Sequence, residues 1–438
     1  MADGVLKQED TTVRIGILGG GLSGLGLQRF LKHESEVLEK QERVGGLCRT
    51  LYKDGFYYDI GGHILFSKDD RITAFTRDIL GENINNCRRN NKILYKGRYV
   101  KYPFENGLGM LDKEDIFECL LGYLNNGHSD PCNFEEWILH TFGDGISEKY
   151  LIPYNRKIWK APLKEMGMEW VERIPKPPLE DVIKSAVGIE TEGYTHQLFF
   201  DYPSYGGIEA LVKAIIEKDA EITTGYEVKK ISRKGRGYIV SDGTTEKEYD
   251  RIVLTIPIKE AIQCIADVPE NVLRAAAALR HNSVRIVLVG VNNESLLDKT
   301  AVYIPDPSVA AHRICYMGSF SRSNVPVGKS SLVAEISTYK GHEFHEMSDA
   351  SLMEIVASDL DRLGVIRKNE ITAADITNIE YGYIVYDLKC TANLDKVKGY
   401  LSSMGIEMLG RFGEFDYINM DEVIRRSMSM AKRLNGIE

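Results

Sequence analysis

A glycine-rich turn directly after the first apolar run constrains this chain more than any other feature. Behind an acidic leader of twelve residues, the apolar run 13–18 leads into Gly19, Gly21 and Gly24, which have the spacing Gly-x-Gly-x-x-Gly. Glycines at these positions permit a tight turn and close backbone approach, and the helix that follows would direct N–H groups at a pyrophosphate. After a second short strand, Glu39 is placed to accept hydrogen bonds from a ribose. The pattern predicts a strand–turn–helix–strand unit that binds a dinucleotide.

A second glycine pair favours FAD over NAD as that dinucleotide. Gly45 and Gly46 follow Glu39 and are flanked by Arg43 and Arg49. Such a turn can bring backbone N–H groups and positive charge to the far side of a diphosphate. Near the C-terminus, the segment from Gly410-Arg411 to Asp421 looks like the closing segment of a flavoprotein family, which implies a helix start near Met420 whose N–H groups would again point at a cofactor.

These glycine pairs and the C-terminal segment resemble the flavoprotein family of amine oxidases, protoporphyrinogen oxidases and UDP-galactopyranose mutases. The resemblance implies FAD as the cofactor. It implies FAD contacts from Gly19, Gly21, Leu22, Ser23, Gly24, Glu39, Lys40, Arg43, Gly45, Gly46, Leu47, Gly61, Gly62, His63, Val228, Gly410, Arg411, Asn419, Met420 and Asp421.

Length, charge and cysteine usage limit the class of protein. A chain of 438 residues predicts two or three folding units, and the net charge of −9 argues against nucleic-acid binding, which needs a basic face. Seven cysteines without a Cys-x-x-Cys pair indicate a reducing compartment rather than a disulfide framework or a zinc site. The leader 1–12 lacks the apolar core of a signal peptide, and the longest apolar run, 284–291, is too short to cross a bilayer. We therefore expect a cytoplasmic protein without stable membrane insertion.

The order of patterns along the chain predicts an α/β fold with a discontinuous Rossmann-type domain. Alternating patterns predict a hairpin over 92–102 with a turn at Lys96-Gly97, and strands within 227–232, 237–241 and 249–257. Helical spacing predicts helices over 112–125, 134–142 and 351–363. We assign 1–75, 206–275 and 396–438 to the FAD-binding domain, 107–190 to a helical insertion, and 80–106, 191–205 and 276–395 to an antiparallel sheet that binds substrate.

The mutases offer the most specific resemblance. The segment Gly61-Gly62-His63 resembles their Gly-Gly-His loop, which lies against flavin N5, and this implies a catalytic role for His63 together with Arg173 and Arg313. The resemblance implies substrate contacts from Arg89, Tyr102, Glu105, Tyr154, Asn155, Trp159, Arg173, Tyr303, Arg313, Tyr383, Arg411 and Tyr417. Two converging guanidinium groups suit a diphosphate, because planar forks bind phosphate oxygens bidentately.

Two positions depart from the mutase pattern. Eukaryotic-type mutases have a glutamine where this chain has Glu105, and an asparagine where it has Leu198 or Gln197. A carboxylate accepts hydrogen bonds whereas an amide both donates and accepts, so the identity of the base, and with it of the sugar, is left open.

The resemblance implies a flavin-dependent mutase that interconverts pyranose and furanose forms of a UDP-galactose-like sugar, as in cell-surface polysaccharide biosynthesis. In that mechanism, N5 of the reduced flavin attacks the anomeric carbon, and the diphosphate departs onto Arg173 and Arg313. The flavin–sugar adduct then opens and recloses through another hydroxyl. The partners implied are a nucleotide diphosphate sugar and an electron donor such as NAD(P)H or a reductase, with room for a homo-oligomer.

Two other functions are weighed against the mutase. One is an FAD-dependent oxidoreductase of the amine oxidase or protoporphyrinogen oxidase type. The other is a non-catalytic binder that resembles the Rab GDP-dissociation inhibitors, although these have no need of the intact glycine pairs. The histidines and glutamates of 342–346 lack the His-Glu-x-x-His spacing of a metal site and are interpreted as a solvated loop, so no metal is expected.

Overall fold

The computed structural model describes residues 13–191 and 198–436. The predicted leader and Gln197 lie outside these ranges. The strands in chain order are β1 Ile15–Leu18, β2 Ser35–Leu38, β3 Thr50–Lys53, β4 Phe56–Asp59, β5 Asn85–Arg88, β6 Asn91–Tyr95, β7 Arg98–Lys101, β8 Phe199–Tyr202, β9 Glu221–Thr223, β10 Lys230–Lys234, β11 Gly237–Ser241, β12 Glu246–Tyr249, β13 Arg251–Leu254, β14 Arg280–Val291, β15 Ala301–Tyr303, β16 Arg313–Tyr316, β17 Ser330–Thr338, β18 Ile371–Val385 and β19 Glu407–Met408.

The α-helices include three predicted from sequence spacing, with boundaries that differ by a few residues. They are α1 Leu22–Phe30, α2 Asp70–Leu80, α3 Lys113–Leu124, α4 Phe134–Ile146, α5 Ile152–Trp159, α6 Leu179–Ala186, α7 Glu209–Ile215, α8 Ile258–Cys264, α9 Glu270–Ala278, α10 Met317–Phe320, α11 Glu343–Glu346, α12 Asp349–Arg362, α13 Cys390–Ser403 and α14 Met420–Leu434.

The chain divides into two compact units. The first, the cofactor unit, contains 1–46, 215–276 and 396–438, and the second, the substrate unit, contains 47–214 and 277–395. This division differs from the proposed boundaries in three places, one of which is that residues 206–214, assigned to the FAD-binding domain, fall in the substrate unit. Residues 47–75 fall in the substrate unit, where the Thr50 N–H donates to Glu209 (3.0 Å) and the Tyr202 hydroxyl to Asp59 (2.6 Å). The helical stretch 107–190 belongs to the same unit as the large sheet.

A five-stranded parallel sheet forms the core of the cofactor unit. The strand order is β19-β13-β1-β2-β9, and Ile15 of β1 pairs with Ser35 on one side and Arg251 on the other. The apolar residues of β1 are fully buried because the strand lies at the centre of the sheet. Of the strands predicted between 227 and 257, only β13 joins this sheet, while β10, β11 and β12 form a separate antiparallel sheet. The Rossmann-type expectation is confirmed.

A seven-stranded sheet organises the substrate unit, in the order β18-β14-β17-β16-β15-β6-β7. Its pairs are antiparallel except for β15 and β6, which run parallel. The longest apolar run, 284–291, lies in β14, between the long strands β17 and β18. The predicted hairpin forms β6 and β7, and its turn residues Lys96 and Gly97 both have positive φ (48° and 76°). The sheet differs from the prediction in one parallel pair and in its members, because β5 and β8 from the predicted ranges 80–106 and 191–205 form a separate two-stranded sheet.

Candidate cofactor cradle and active site

The glycine turn of the cofactor unit has the geometry that close ligand approach requires. Gly19 has a φ of +122°, which side-chain-bearing residues rarely adopt. A Cβ on Gly24 would lie 2.1 Å from the Gly19 carbonyl oxygen, so this position tolerates only glycine while α1 packs against the turn. A Cβ on Gly21, by contrast, would meet no described atom within 4 Å. The face of the turn at Gly21 is thus the one open to a diphosphate.

The second glycine pair packs against the first, which the sequence did not predict. The Gly45 N–H donates to the Gly20 carbonyl (2.7 Å), and a Cβ on Gly46 would come within 3.2 Å of the Gly21 Cα. Glu39 is oriented from both sides, because its carboxylate accepts from the N–H groups of Gly20 (2.8 Å) and Gln41 (2.9 Å). This places an anchored carboxylate at the end of β2, where the ribose acceptor was predicted.

The C-terminal segment closes against the start of α1. Gly410 has a φ of +92°, and a Cβ there would lie 1.9 Å from the Ser23 hydroxyl oxygen. The Arg411 guanidinium stands over the Tyr417 ring at 4.1 Å, so these two predicted ligands form a cation–π pair. Asn419 is the N-cap residue of α14, which begins at Met420 as predicted. The N-terminal ends of α1 and α14 both lie in the cofactor unit. The N–H groups of these helix ends and the glycine turn fit a bound FAD diphosphate.

Sequence reasoning missed Arg426, which organises this segment from α14. Its guanidinium binds Glu414 (2.9 Å), Asp416 (2.6 Å) and Glu422 (2.8 Å), and Glu414 also accepts from the Gly410 N–H (2.8 Å). The contacts within 410–416 and with α14 fix the turn that presents Arg411. The spacing of these four charged residues gives no simple signal, since only Glu422 and Arg426 are separated by one helical turn.

In the substrate unit, the Gly-Gly-His loop is held by buried carboxylates on either side. Before the loop, Asp59 accepts from the hydroxyls of Thr50 (2.6 Å) and Tyr202 (2.6 Å), and burial raises its pKa to about 6. Within it, Gly61 has a φ of +85° and the Gly62 N–H donates to Glu335 (3.2 Å). The backbone next to His63 is therefore fixed.

Arg313 meets a buried partner that the sequence analysis did not identify. Glu335 on β17 accepts from Arg313 Nε (2.8 Å) and Nη2 (2.6 Å), and from the Tyr383 hydroxyl (3.3 Å). Glu335 is 1 % exposed, whereas the Arg313 side chain is 25 % exposed. Burial raises the pKa of Glu335, but the charge and hydrogen bonds of Arg313, with His312 and the Gly62 N–H, together outweigh burial and hold the pKa below its ordinary value. A signal existed in the sequence, since Glu335 is the one charged residue in the buried strand β17.

Five predicted aromatic residues come together near this pair. The Tyr102 and Tyr303 rings stack with centroids 4.7 Å apart, and Tyr154 meets Tyr303 edge-on at 5.6 Å. Trp159 meets Tyr383 edge-on at 6.1 Å. The predicted Asn155 is buried and accepts from the Trp159 indole N–H (2.9 Å), so it orients the tryptophan within α5.

Next to Tyr102 lies a basic cavity of about 680 Å³. Its lining contains the predicted Arg89 and Tyr102, and also Leu198, which departs from the mutase pattern. The charged and amide side chains in the lining that the prediction missed are Arg88, Asn90, Asn91, Lys92, Lys101, Asn106, Glu190 and Asp298. Four cationic side chains face two carboxylates, and this local excess stands out in a chain of net charge −9.

Glu105 and Arg173 differ in their surroundings from the other predicted substrate contacts. Glu105 is 2 % exposed and is not part of the cavity lining, where its neighbour Asn106 is found instead. Burial raises the pKa of Glu105 to about 7. Arg173 is exposed on the 3-10 turn Val171–Arg173, and its convergence with Arg313 stays a prediction.

His342 caps the N-terminus of α11, and no cluster of three metal-ligating residues occurs in the described ranges.

Comparison with known proteins places these features in one fold. Residues 17–79 match the NAD(P)-binding Rossmann-like domain, and residues 165–376 match the flavin containing amine oxidoreductase family. The chain is 20% identical to coproporphyrinogen III oxidase of Bacillus subtilis (strain 168), over 79% of this chain and 82% of the relative. It is 23% identical to polyamine oxidase 4 of Oryza sativa subsp. japonica, over 79% and 72%.

Solved structures extend the similarity to nearly the whole chain. A crystal structure of reduced UDP-galactopyranose mutase superposes with a TM-score of 0.89 at 24% identity, and covers 98% of this chain and 94% of that one. A putative protoporphyrinogen oxidase from Exiguobacterium sp. 255-15 gives 0.77 at 19% identity, covering 98% and 100%. None of the helices in the described ranges has the length and apolar character that crossing a membrane requires. The similarities to the solved structures show the fold, and together with the matched domains they fit the flavoprotein family inferred from the glycine motifs and support FAD as the cofactor.

Proposed function

We propose that the protein is a flavin-dependent mutase that interconverts the pyranose and furanose forms of a UDP-galactose-like nucleotide sugar. The observation that carries this proposal is the basic, tyrosine-flanked cavity of the substrate unit. Four cations and two carboxylates line it, so it favours an anionic ligand and disfavours a protonated amine. Its volume is in the range of small-molecule sites.

Tyr303 connects this cavity to the Arg313–Glu335 pair. Its ring stacks on Tyr102, which lines the cavity, and its hydroxyl accepts from Asn91 (3.4 Å). Burial raises the pKa of Tyr303, and the charges of both Arg313 and Arg89 oppose that rise. One tyrosine thus lies within electrostatic reach of both arginines, as a nucleotide diphosphate that spans them would require.

The proposed roles of the protein groups follow from these contacts. Glu335 engages Nε and Nη2 of Arg313, and we assign Nη1 as the donor to a phosphate oxygen of the departing diphosphate. Arg173 would supply the second guanidinium, and His63 would be held beside the cofactor by the fixed Gly61-Gly62 backbone. Reduced FAD would supply the nucleophile for the anomeric carbon, so an electron donor such as NAD(P)H or a reductase must act first.

Turnover under defined redox conditions tests the proposal. The purified holoenzyme is reduced anaerobically with dithionite and offered UDP-, dTDP- and GDP-sugars, with product ring form read by chromatography. We expect pyranose–furanose conversion with the reduced protein and none with the oxidised protein. A reduced holoenzyme that converts none of these sugars contradicts the proposal.

The second candidate is an FAD-dependent oxidoreductase, which the names of the two curated relatives favour. The same preparation decides between the two. If the protein is an oxidoreductase, the flavin of the oxidised protein should bleach when a polyamine or a carboxylated porphyrinogen is added without oxygen, and oxygen should be consumed in air. Added nucleotide should have no effect on either reaction.

A further inference from the structure

Lys157 is a buried cation to which the proposed mechanism assigns no role. It is 8 % exposed, on the helix α5 that also carries Tyr154 and Trp159. Its ammonium donates to the backbone carbonyls of Ile304 (2.9 Å), Asp306 (2.8 Å) and Ala311 (2.7 Å). An ammonium has three N–H donors, so these three carbonyls satisfy Lys157 completely.

The three carbonyls belong to one loop, residues 304–312, which joins β15 to β16. Tyr303 is the last residue of β15 and Arg313 is the first residue of β16. On another side, the loop is held by Asp359 of α12, which accepts from the Ala310 N–H (2.8 Å). Lys157 therefore ties the helix with Tyr154 and Trp159 to the loop whose ends present Tyr303 and Arg313.

We propose that Lys157 is a positioning residue of the proposed nucleotide-sugar site: its ammonium fixes the 304–312 loop and thereby the spacing between Tyr303 and Arg313. The inference rests on the proposed function. Lys157 acts through the loop and not on substrate, because all its donors are occupied. Burial lowers the pKa of Lys157 to about 7, against the nearby carboxylates of Asp306 and Asp359. Burying an ammonium is costly unless hydrogen bonds compensate, and the three carbonyls of the loop provide that compensation.

Arg285 provides a matched control in the same unit. It is 3 % exposed and donates to the carbonyls of Phe344 (3.0 Å) and Met347 (2.6 Å), so it also fixes a backbone segment, α11 and its C-cap residue, from a buried position. This segment carries none of the proposed ligands. Replacing either cation with methionine removes a buried charge and leaves backbone carbonyls without a donor.

The experiment compares Lys157→Met and Arg285→Met holoenzymes by two readouts. Amide hydrogen exchange, followed without ligand, should rise about tenfold in 304–312 for Lys157→Met and only around 344–347 for Arg285→Met. The Kd of the oxidised holoenzyme for UDP, measured by titration calorimetry, should rise about tenfold for Lys157→Met and stay unchanged for Arg285→Met. Lys157→Gln keeps two N–H donors and serves as the second variant if Lys157→Met does not accumulate as folded holoenzyme; it should give smaller changes in the same direction.

The outcomes separate this inference from the proposed function. Unchanged exchange in 304–312 overturns the positioning role, and so does faster exchange with an unchanged Kd for UDP. Wild-type holoenzyme that binds no UDP counts against the proposed function instead, while the exchange measurement still decides whether Lys157 fixes the loop.

Discussion

Each unit of the molecule contains a buried glutamate that contacts at least one cation and a tyrosine. The two clusters differ in the other residues that they contact. In the cofactor unit, Glu36 is fully buried and binds Tyr249 (2.7 Å), Thr223 (2.6 Å), Lys247 and Arg14 (3.2 Å). These partners come from strands of the two sheets of that unit and from the segment before β1. The cluster thus joins elements that are distant in sequence.

In the substrate unit, Glu335 is equally buried, and its main partner is partly exposed like the cations at Glu36, whose side chains are 22 % (Lys247) and 35 % (Arg14) exposed. The Arg313 side chain is 25 % exposed, and Tyr383 and the Gly62 N–H complete the cluster. Glu335 thus holds one face of a guanidinium while another remains accessible. The clusters differ in what else they contact: Glu36 joins strands of the two sheets of its unit, whereas Glu335 contacts Tyr383 and the Gly62 N–H, which belong to the site we propose.

The largest expected effect is on stability, from Glu36→Gln. The substitution removes a charge that Lys247 and Arg14 neutralise, and breaking a buried ion pair costs about 3–5 kcal/mol. We expect the free energy of unfolding to fall by about that amount in denaturant titrations, with kcat per bound flavin unchanged at temperatures where the variant is folded. A lower kcat in the folded variant would show that this cluster also serves function.

Glu335→Gln should instead lower catalysis. The Arg313 guanidinium loses its bidentate partner and its fixed orientation, so we expect kcat/KM for the nucleotide sugar to fall about 100-fold. Flavin content, measured by absorbance, should be retained. Glu380→Gln is the matched control on the same sheet, because Glu380 is exposed and pairs with His281. Equal losses in the two variants would remove Glu335 from the site.

Removing a single tyrosine hydroxyl from each cluster tests the comparison more finely. Tyr249→Phe removes a hydrogen bond to Glu36, and we expect the free energy of unfolding to fall by about 1 kcal/mol without a kinetic effect. Tyr383→Phe removes the weaker bond to Glu335, and we expect about a fivefold rise in KM with little change in thermal midpoint. The reverse assignment of effects would contradict the division between a structural and a functional cluster.

Acid pH should produce the smallest effect on stability, and both clusters should change stability in the same direction. Both glutamates have pKa values held below the ordinary 4.5. Burial raises each value, but Lys247, Thr223 and Tyr249 together outweigh burial at Glu36, and Arg313, His312 and the Gly62 N–H together do so at Glu335. A lowered pKa stabilises the folded state above the unfolded pKa, and that contribution is lost only as pH falls through the folded value. Thermal midpoints should therefore be insensitive to these groups from pH 5 to 8 and decline below pH 4.5, and the Glu36→Gln variant should show a shallower decline. A transition near neutral pH that either substitution abolishes would contradict this.

Much of the cofactor unit was predictable because its signals are local. A turn that requires glycine, a short apolar strand before it and an acid after the next strand lie within about 25 residues, and the structure forms β1, α1 and β2 there. The Lys96-Gly97 turn was likewise found from neighbouring residues, whereas the start of α14 near Met420 was implied by the family resemblance. The resemblance to the mutases supplied Arg313 and the aromatic residues that the structure brings together.

The sequence by itself determined the dinucleotide unit, the class of fold and the chemical types at the site, since these depend on short-range spacing and on which side chains can bind a diphosphate. Only the tertiary structure decided which partners those groups have. Glu335 reaches Arg313 across neighbouring strands, Lys157 reaches a loop about 150 residues away, and Arg426 gathers three acids. It also decided that Glu105 is buried while Asn106 lines the cavity. Strand register and helix packing set these contacts, and neither follows from the spacing of residues along the chain.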